Sequence, residues 1–174
     1  MPGGQYRLAA MPPDKTELAK TIKTYATLAK KHGADLRYGV EATEETLAGL
    51  SPDAVVLATG AVPIFPRIPG IDGPNVVKAN DLLSGRTVLP RGQKVLVVGA
   101  GLVGAETAEF LTLFDAQITI VDMISEIAGL LNRVPRRKLL QRFAEASVRF
   151  VPDSKVLEFV EDGVRIQQDR KSVV

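Results

Sequence analysis

No cysteine occurs among the 174 residues, which excludes disulfides, thiol nucleophiles and any cysteine-ligated iron–sulfur cluster within this stretch of chain. Histidine is almost as scarce. The single one, His32, falls beside Gly33 at the end of an expected helix, so the sequence offers no histidine-built metal site either. An excess of either charge is also missing: 22 Lys and Arg face 20 Asp and Glu, and a net charge of +2 argues for neither nucleic acid nor an anionic membrane as partner. The longest apolar runs, such as Val95 to Ala105, fall short of a membrane span and are interrupted by glycine. The opening, MPGGQYRLAAMPPDK, lacks the charged segment and apolar core of a signal peptide. A cytoplasmic location is therefore expected. What remains is ordinary globular material, 45% hydrophobic and 24% charged. It is long enough for one domain or two small ones and can bury roughly 68 to 70% of the unfolded surface.

Against this background one stretch stands out: Lys94 to Asp122, KVLVVGAGLVGAETAEFLTLFDAQITIVD. It reads as a hydrophobic strand, a glycine-rich turn, a helix, a second strand and a terminal acid, which is the order of a site for the ADP half of a dinucleotide. Val95 to Val98 is the continuous apolar run of a strand covered on both faces in a parallel sheet. In Gly99-Ala100-Gly101-Leu102-Val103-Gly104, the first glycine permits the turn and the second lets the backbone approach a pyrophosphate. The third lets the helix pack closely on the sheet. The helix starts beneath the phosphates, where free N–H groups and the positive end of the dipole meet the anion. Val103, Thr107, Phe110, Leu111 and Phe114 make its expected buried face, leaving Glu109 outside. Asp122 comes roughly 20 residues beyond the glycines, where an acid accepts hydrogen bonds from ribose hydroxyls. A 2′-phosphate there meets negative charge, and no Lys or Arg stands between Asp122 and Arg133, so NAD(H) is preferred over NADP(H).

Elsewhere, Asp14 to His32 reads as a helix with Asp14 as cap, Glu17 three residues on, and Lys30, Lys31 and Gly33 at its end. Leu18, Ile22, Tyr25 and Ala29 form its stripe. Ala34 to Val40 is expected to be a strand, Glu44 to Leu50 a short helix, and Ala54 to Ala58 a buried strand ending in Thr59-Gly60. The proline-rich passage Val62 to Pro74 can be neither helix nor central strand. A helical turn is expected at Asn80 to Ser84, a helix at Pro135 to Ser147 with Leu139, Leu140, Phe143 and Ala146 inward, and a strand at Val148 to Val151. The parallel βαβαβ from Lys94 onward is then succeeded by a hairpin, Lys155 to Val160 and Val164 to Gln168. The domain organisation expected is a first half at 1–90, a second at 91–169 and a tail at 170–174. The first half lacks an opening strand with its own glycine turn, and the chain stops soon after the hairpin. Both point to a segment of a larger protein with an exposed sheet edge.

The chain resembles the C-terminal dinucleotide-binding region of the NADH:flavin oxidoreductases of the old yellow enzyme branch, which includes 2,4-dienoyl-CoA reductase and trimethylamine dehydrogenase. The segments that carry the resemblance are Gly3-Gly4-Gln5 with Arg7 to Ala10 and Pro12-Pro13, then Pro52 to Gly60, Gly99 to Glu109, and Val121-Asp122-Met123. The resemblance implies an α/β fold. A Rossmann-like NAD(P)-binding unit accompanies an incomplete FAD-binding (or ADP-binding) half, as in flavoproteins with two dinucleotide-binding domains. It also implies a separate N-terminal barrel, absent here, that carries FMN, a 4Fe-4S cluster and the catalytic residues. By the same resemblance Gly99, Ala100, Gly101, Leu102, Val103 and Gly104 cradle the nicotinamide dinucleotide's pyrophosphate, Asp122 takes the adenosine ribose, and Met123 beside it belongs to the cofactor-binding set. Glu106 lies near the nicotinamide and flavin rings or is simply an acid favoured by the helix dipole, and Thr59 and Gly60 line the flavin or merely end a strand.

The function expected is hydride transfer from NADH to FAD, with electrons leaving for the barrel and no turnover by this stretch alone. A non-catalytic ADP-binding or assembly module is the alternative. A complete small NAD-dependent dehydrogenase is disfavoured, because no histidine, cysteine or tyrosine constellation occupies catalytic positions. Two features stay open. Arg133, Arg136, Arg137, Lys138 and Arg142 form a solvated face or a site for phosphate or an acidic domain, and Ile64 and Phe65 pack on the barrel or cap a local core.

Overall fold

The computed structural model of the protein describes residues 2–168. They form two compact units, 2–10 with 14–64 and 11–13 with 65–168.

The first unit is helical. A 3-10 helix covers Gly4–Ala10, and two α-helices come after it, α1 at Glu17–Lys31 and α2 at Glu44–Leu50. Helix α1 begins later than the capping pattern suggested. Asp14 adopts a left-handed φ of 60° and Thr16 occupies the cap position without a side-chain bond. Its far end closes as expected, with the Gly33 N–H donating to Lys30 O at 3.0 Å. The apolar stripe of α1 is present but poorly covered: no residue of the helix is buried, and Tyr25 is 71% exposed. Helix α2 has the expected bounds, and Thr43 Oγ1 accepts from the Thr46 N–H at 3.3 Å. The two strands expected here do not form. Ala34 to Val40 and Ala54 to Ala58 have no ladder partner among the described residues, and Val56 and Leu57 are 87% and 83% exposed. An apolar run becomes a strand only where a neighbour accepts from its N–H groups and donates to its C=O groups. Just beyond Thr59-Gly60, Ala61 O accepts from the side-chain amide of Gln5.

The second unit contains the sheet. After helix α3 (Ala79–Leu83), the chain runs through β1 (Lys94–Val98), α4 (Leu102–Leu111), a short 3-10 turn, and β2 (Gln117–Val121). It continues with α5 (Arg133–Glu145), β3 (Arg149–Val151), β4 (Ser154–Val160) and β5 (Gly163–Gln168). The sheet is parallel in the order β1-β2-β3, with Lys94 opposite Gln117 and Thr119 opposite Arg149. Strand β1 lies at its edge. Strands β4 and β5 form the antiparallel hairpin expected, with a register shift between Val156 and Glu158. The α/β, Rossmann-like reading holds for this unit, and the helix and strand positions agree to within a few residues. The proline-rich passage is neither helix nor strand. Its end is fastened to the hairpin by Phe159 N–H to Pro69 O at 2.8 Å and by the Asn75 amide to Val160 O and Glu161 O.

The core is built from Ile118, Ile120 and Val121 of β2, Ala105, Ala108, Phe110 and Leu111 of α4, and Leu139 and Phe143 of α5, with Leu82 and Leu83 of α3. Phe110 and Phe114 stack at 5.1 Å between centroids with a 58° tilt. Two details of helix facing differ from expectation. Glu109 is not outside: it is 3% exposed and bonds Arg142 of α5, while Val103 is 59% exposed. Helix α4 is covered by other helices as well as by the sheet, so its far side is interior too. On α5, Ala146 is exposed because the helix has ended at Glu145.

Candidate functional site

The end of β1 and the start of α4 make a sharp elbow, in which Gly99 and Gly104 each meet a separate steric demand. Gly99 has a φ of 108°, outside the range open to residues with a Cβ, and its N–H still donates to Val121 O at 2.9 Å. A Cβ on Gly104 would lie 1.9 Å from Gly99 O, so only glycine lets the helix approach the turn. Gly101 caps α4 with an extended backbone, and a Cβ built on it meets nothing within 4 Å. The helix therefore opens onto free space.

The electrostatics of this opening favour an anion. Gly101 has no side chain to cap the first turn, and the first bond into the helix is Ala105 N–H to Gly101 O at 2.9 Å. The N–H groups of the preceding residues have no intrahelical partner by geometry, and the dipole adds its positive end. Leu102 and Val103 expose their side chains beside them. Asp122 follows β2 next to this elbow. Its Oδ2 accepts the Ala100 N–H at 2.5 Å, and its Oδ1 accepts the Ile124 N–H at 3.2 Å.

Of the residues singled out in the sequence, Gly99 to Gly104 and Asp122 come together here. Met123, 64% exposed, succeeds Asp122 in the loop. Glu106 stands half-buried on α4, with a partner of its own. Thr59 and Gly60 belong to the other unit, exposed and outside any strand among the described residues.

Sequence reasoning missed the loop that leads from Asp122 to α5. The Ala128 N–H donates to Ala100 O at 2.7 Å, and Arg136 donates Nε to Ile127 O at 2.8 Å while pairing with Glu126 at 3.0 Å. Nothing in the local pattern distinguished Arg136 from the other cations of its helix. Among the described residues no group of His, Cys, Asp or Glu could hold a metal, and no helix is long and apolar enough to cross a membrane.

Comparison with known proteins fits this geometry. Residues 7–174 match the family described as pyridine nucleotide-disulphide oxidoreductase. The chain belongs to that family. It is 37% identical over 164 residues to an NADH oxidase of Thermoanaerobacter brockii, covering 93% of this chain and 25% of that protein. It is 34% identical over 165 residues to a bilirubin reductase of Mediterraneibacter gnavus, covering 95% and 25%. Among solved structures, a 2-naphthoyl-CoA reductase complex superposes with a TM-score of 0.86 at 28% identity, covering 95% of this chain and 25% of that one. The chain thus spans about a quarter of the length of these relatives. Membership places it among FAD- and NAD-binding oxidoreductase domains.

Proposed function

We propose that the elbow at Gly99 to Gly104 binds NAD(H), preferred over NADP(H), within a flavin-dependent oxidoreductase of the old yellow enzyme and dienoyl-CoA reductase branch. The observation that carries this reading is the juxtaposition of an open helix N-terminus with the Asp122 carboxylate, which reaches Ala100 N at 2.5 Å. The names of the relatives, NADH oxidase, bilirubin reductase and cinnamate reductase, point to the same class of chemistry.

The residues present fit the ADP half of the cofactor. The amides at the start of α4 receive the diphosphate, the open space before Gly101 admits it, and Asp122 accepts from the ribose hydroxyls. A 2′-phosphate in that place meets the carboxylate's charge. Bound nicotinamide supplies a hydride, and the protein supplies orientation and electrostatics. Glu106, half-buried on α4, is the residue we assign toward the nicotinamide end. No comparable cradle exists for FAD among the described residues of the first unit, where Thr59 and Gly60 are exposed and no strand forms. FMN and an iron–sulfur cluster belong, in this proposal, to a barrel outside this stretch.

Calorimetric titration with NADH tests the reading. Sub-millimolar affinity, weaker for NADPH, is expected; no heat of binding overturns it. Yellow flavin bound to the purified chain would contradict the account of the first unit. A holding role for ADP without hydride chemistry is the second reading, since the contacts of the elbow and Asp122 all belong to the adenosine diphosphate half. Under it, NADH added to the whole protein leaves its flavin spectrum oxidised.

A further inference from the structure

The loop between β2 and α5 is tied to the elbow at a single residue from both sides. Ala100 is fully buried; its N–H donates to Asp122 Oδ2 at 2.5 Å and its C=O accepts from the Ala128 N–H at 2.7 Å. Ala128 is also fully buried and holds a left-handed φ of 49°, a conformation that a residue with a Cβ keeps only when its surroundings enforce it. The Ala128 C=O accepts from the Leu131 N–H at 2.9 Å, and the residue before it is braced by Arg136. Its guanidinium donates Nε to the carbonyl of Ile127, one residue before Ala128, and pairs through Nη2 with Glu126 Oε2 at 3.0 Å. The Ile127 carbonyl and the Ala128 N–H belong to one peptide, so the Arg136 bond to its oxygen and the Ala100 bond to its N–H hold that plane from both ends, while Glu126 engages the guanidinium through its side chain.

We propose that Arg136 is a positioning residue for nucleotide recognition, holding the ribose-facing carboxylate of Asp122 in orientation through Ile127, Ala128 and Ala100. The proposal rests on the NAD(H) reading of the elbow. An ionised carboxylate has about four acceptor sites, and the Ala100 and Ile124 amides take one on each oxygen of Asp122. What is left on each oxygen points in a fixed direction, toward a diol rather than toward any passing donor. Loosening the strap lets Ala128 leave its left-handed conformation, releases the Ala100 carbonyl, and frees the carboxylate to rotate. Affinity for the diphosphate, set by the amides of α4, is left largely alone.

The test compares NADH with its analogue lacking the 2′-hydroxyl of the adenosine ribose, by calorimetry on the full chain. Wild-type protein is expected to prefer NADH by about tenfold, the worth of one hydrogen bond to a charged group. In Arg136→Met, which keeps the aliphatic stem and loses the donors, the preference falls to about twofold while affinity for the analogue changes little. Arg136→Lys restores part of it. On an Asp122→Ala background, Arg136→Met has no further effect on the preference. Equal loss for both ligands, or no loss for either, overturns the proposal and leaves the NAD(H) reading standing. Failure of wild-type protein to bind NADH sinks both. Amide exchange gives a readout without ligand: Arg136→Met accelerates exchange at Ala100 and Ala128 and leaves the β4–β5 amides unchanged, and unaltered exchange at those two residues overturns the strap.

Discussion

Two stretches of this chain are written alike and end differently. Lys94 to Val98 runs into Gly99, and Asp53 to Ala58 runs into Thr59-Gly60; both are short apolar runs rich in valine that stop at glycine. The first is strand β1, paired in register with β2 over five residues. The second has no ladder partner among the described residues, with Val56 and Leu57 almost bare. Each such side chain left in water forgoes roughly 1.5 to 3 kcal/mol of burial. The difference lies in where the chain goes next. After β1 it makes a helix and returns within about twenty residues to lay β2 alongside, whereas none of the described residues returns to Ala54. A strand is a property of a pair.

Hydrogen exchange should show the largest effect. The amides of Val95 to Val98 are expected to exchange on the order of a thousandfold or more slowly than those of Val55 to Ala58, which sit at the low-stability end. Comparable protection in both stretches would break the comparison outright. Next come the glycines that end each run. Gly104→Ala drives a Cβ against Gly99 O and should cost about 3 kcal/mol in denaturant unfolding of the second unit. Gly60→Ala meets nothing within 4 Å, but the left-handed φ of 81° there strains any Cβ, so it should cost about 1 to 2 kcal/mol, less than the clash at Gly104.

Ion pairs sharpen the contrast further. Glu109 is buried against a partly exposed Arg142, so Glu109→Ala should destabilise by about 2 kcal/mol, below the range for a fully buried pair. Glu17 and Lys20 of the first unit, each 75% exposed, contribute nothing measurable to that unit's own unfolding. The smallest effect lies at Glu45. A bond to its own backbone and one to the Thr43 hydroxyl hold its carboxyl below the usual 4.5. Its contribution is therefore present above that value and fades as pH falls through the lowered one. Thr43→Val should move the Glu45 titration upward in an NMR pH series; an unmoved curve rules out the hydroxyl as a cause.

The second unit was legible because its instructions are local. Gly99, Gly101, Gly104 and Asp122 lie within one strand–helix–strand passage, and Gly99, Gly104 and Asp122 meet their steric or electrostatic demands against residues of that passage. What stayed hidden depended on distant partners. Glu109 looks like an outer acid until Arg142, 33 residues on, is brought against it. Arg136 looks like one cation among five until its reach to Ile127 is known. Ala34 to Val40 and Ala54 to Ala58 carry strand composition, but composition says nothing of whether a neighbour exists. The tail expected at 170–174 lies outside the described residues.

The position of β1 at the border of its sheet has a practical outcome. Its side away from β2 presents a row of main-chain donors and acceptors, flanked by Leu96 and Val98, which are 37% and 43% exposed. Such a rim is a template on which another polypeptide can crystallise its own backbone, so concentrated solutions of this chain should scatter light and lose soluble material. A lysine in place of Leu96, bristling from that rim, is the simplest way to keep the molecules apart.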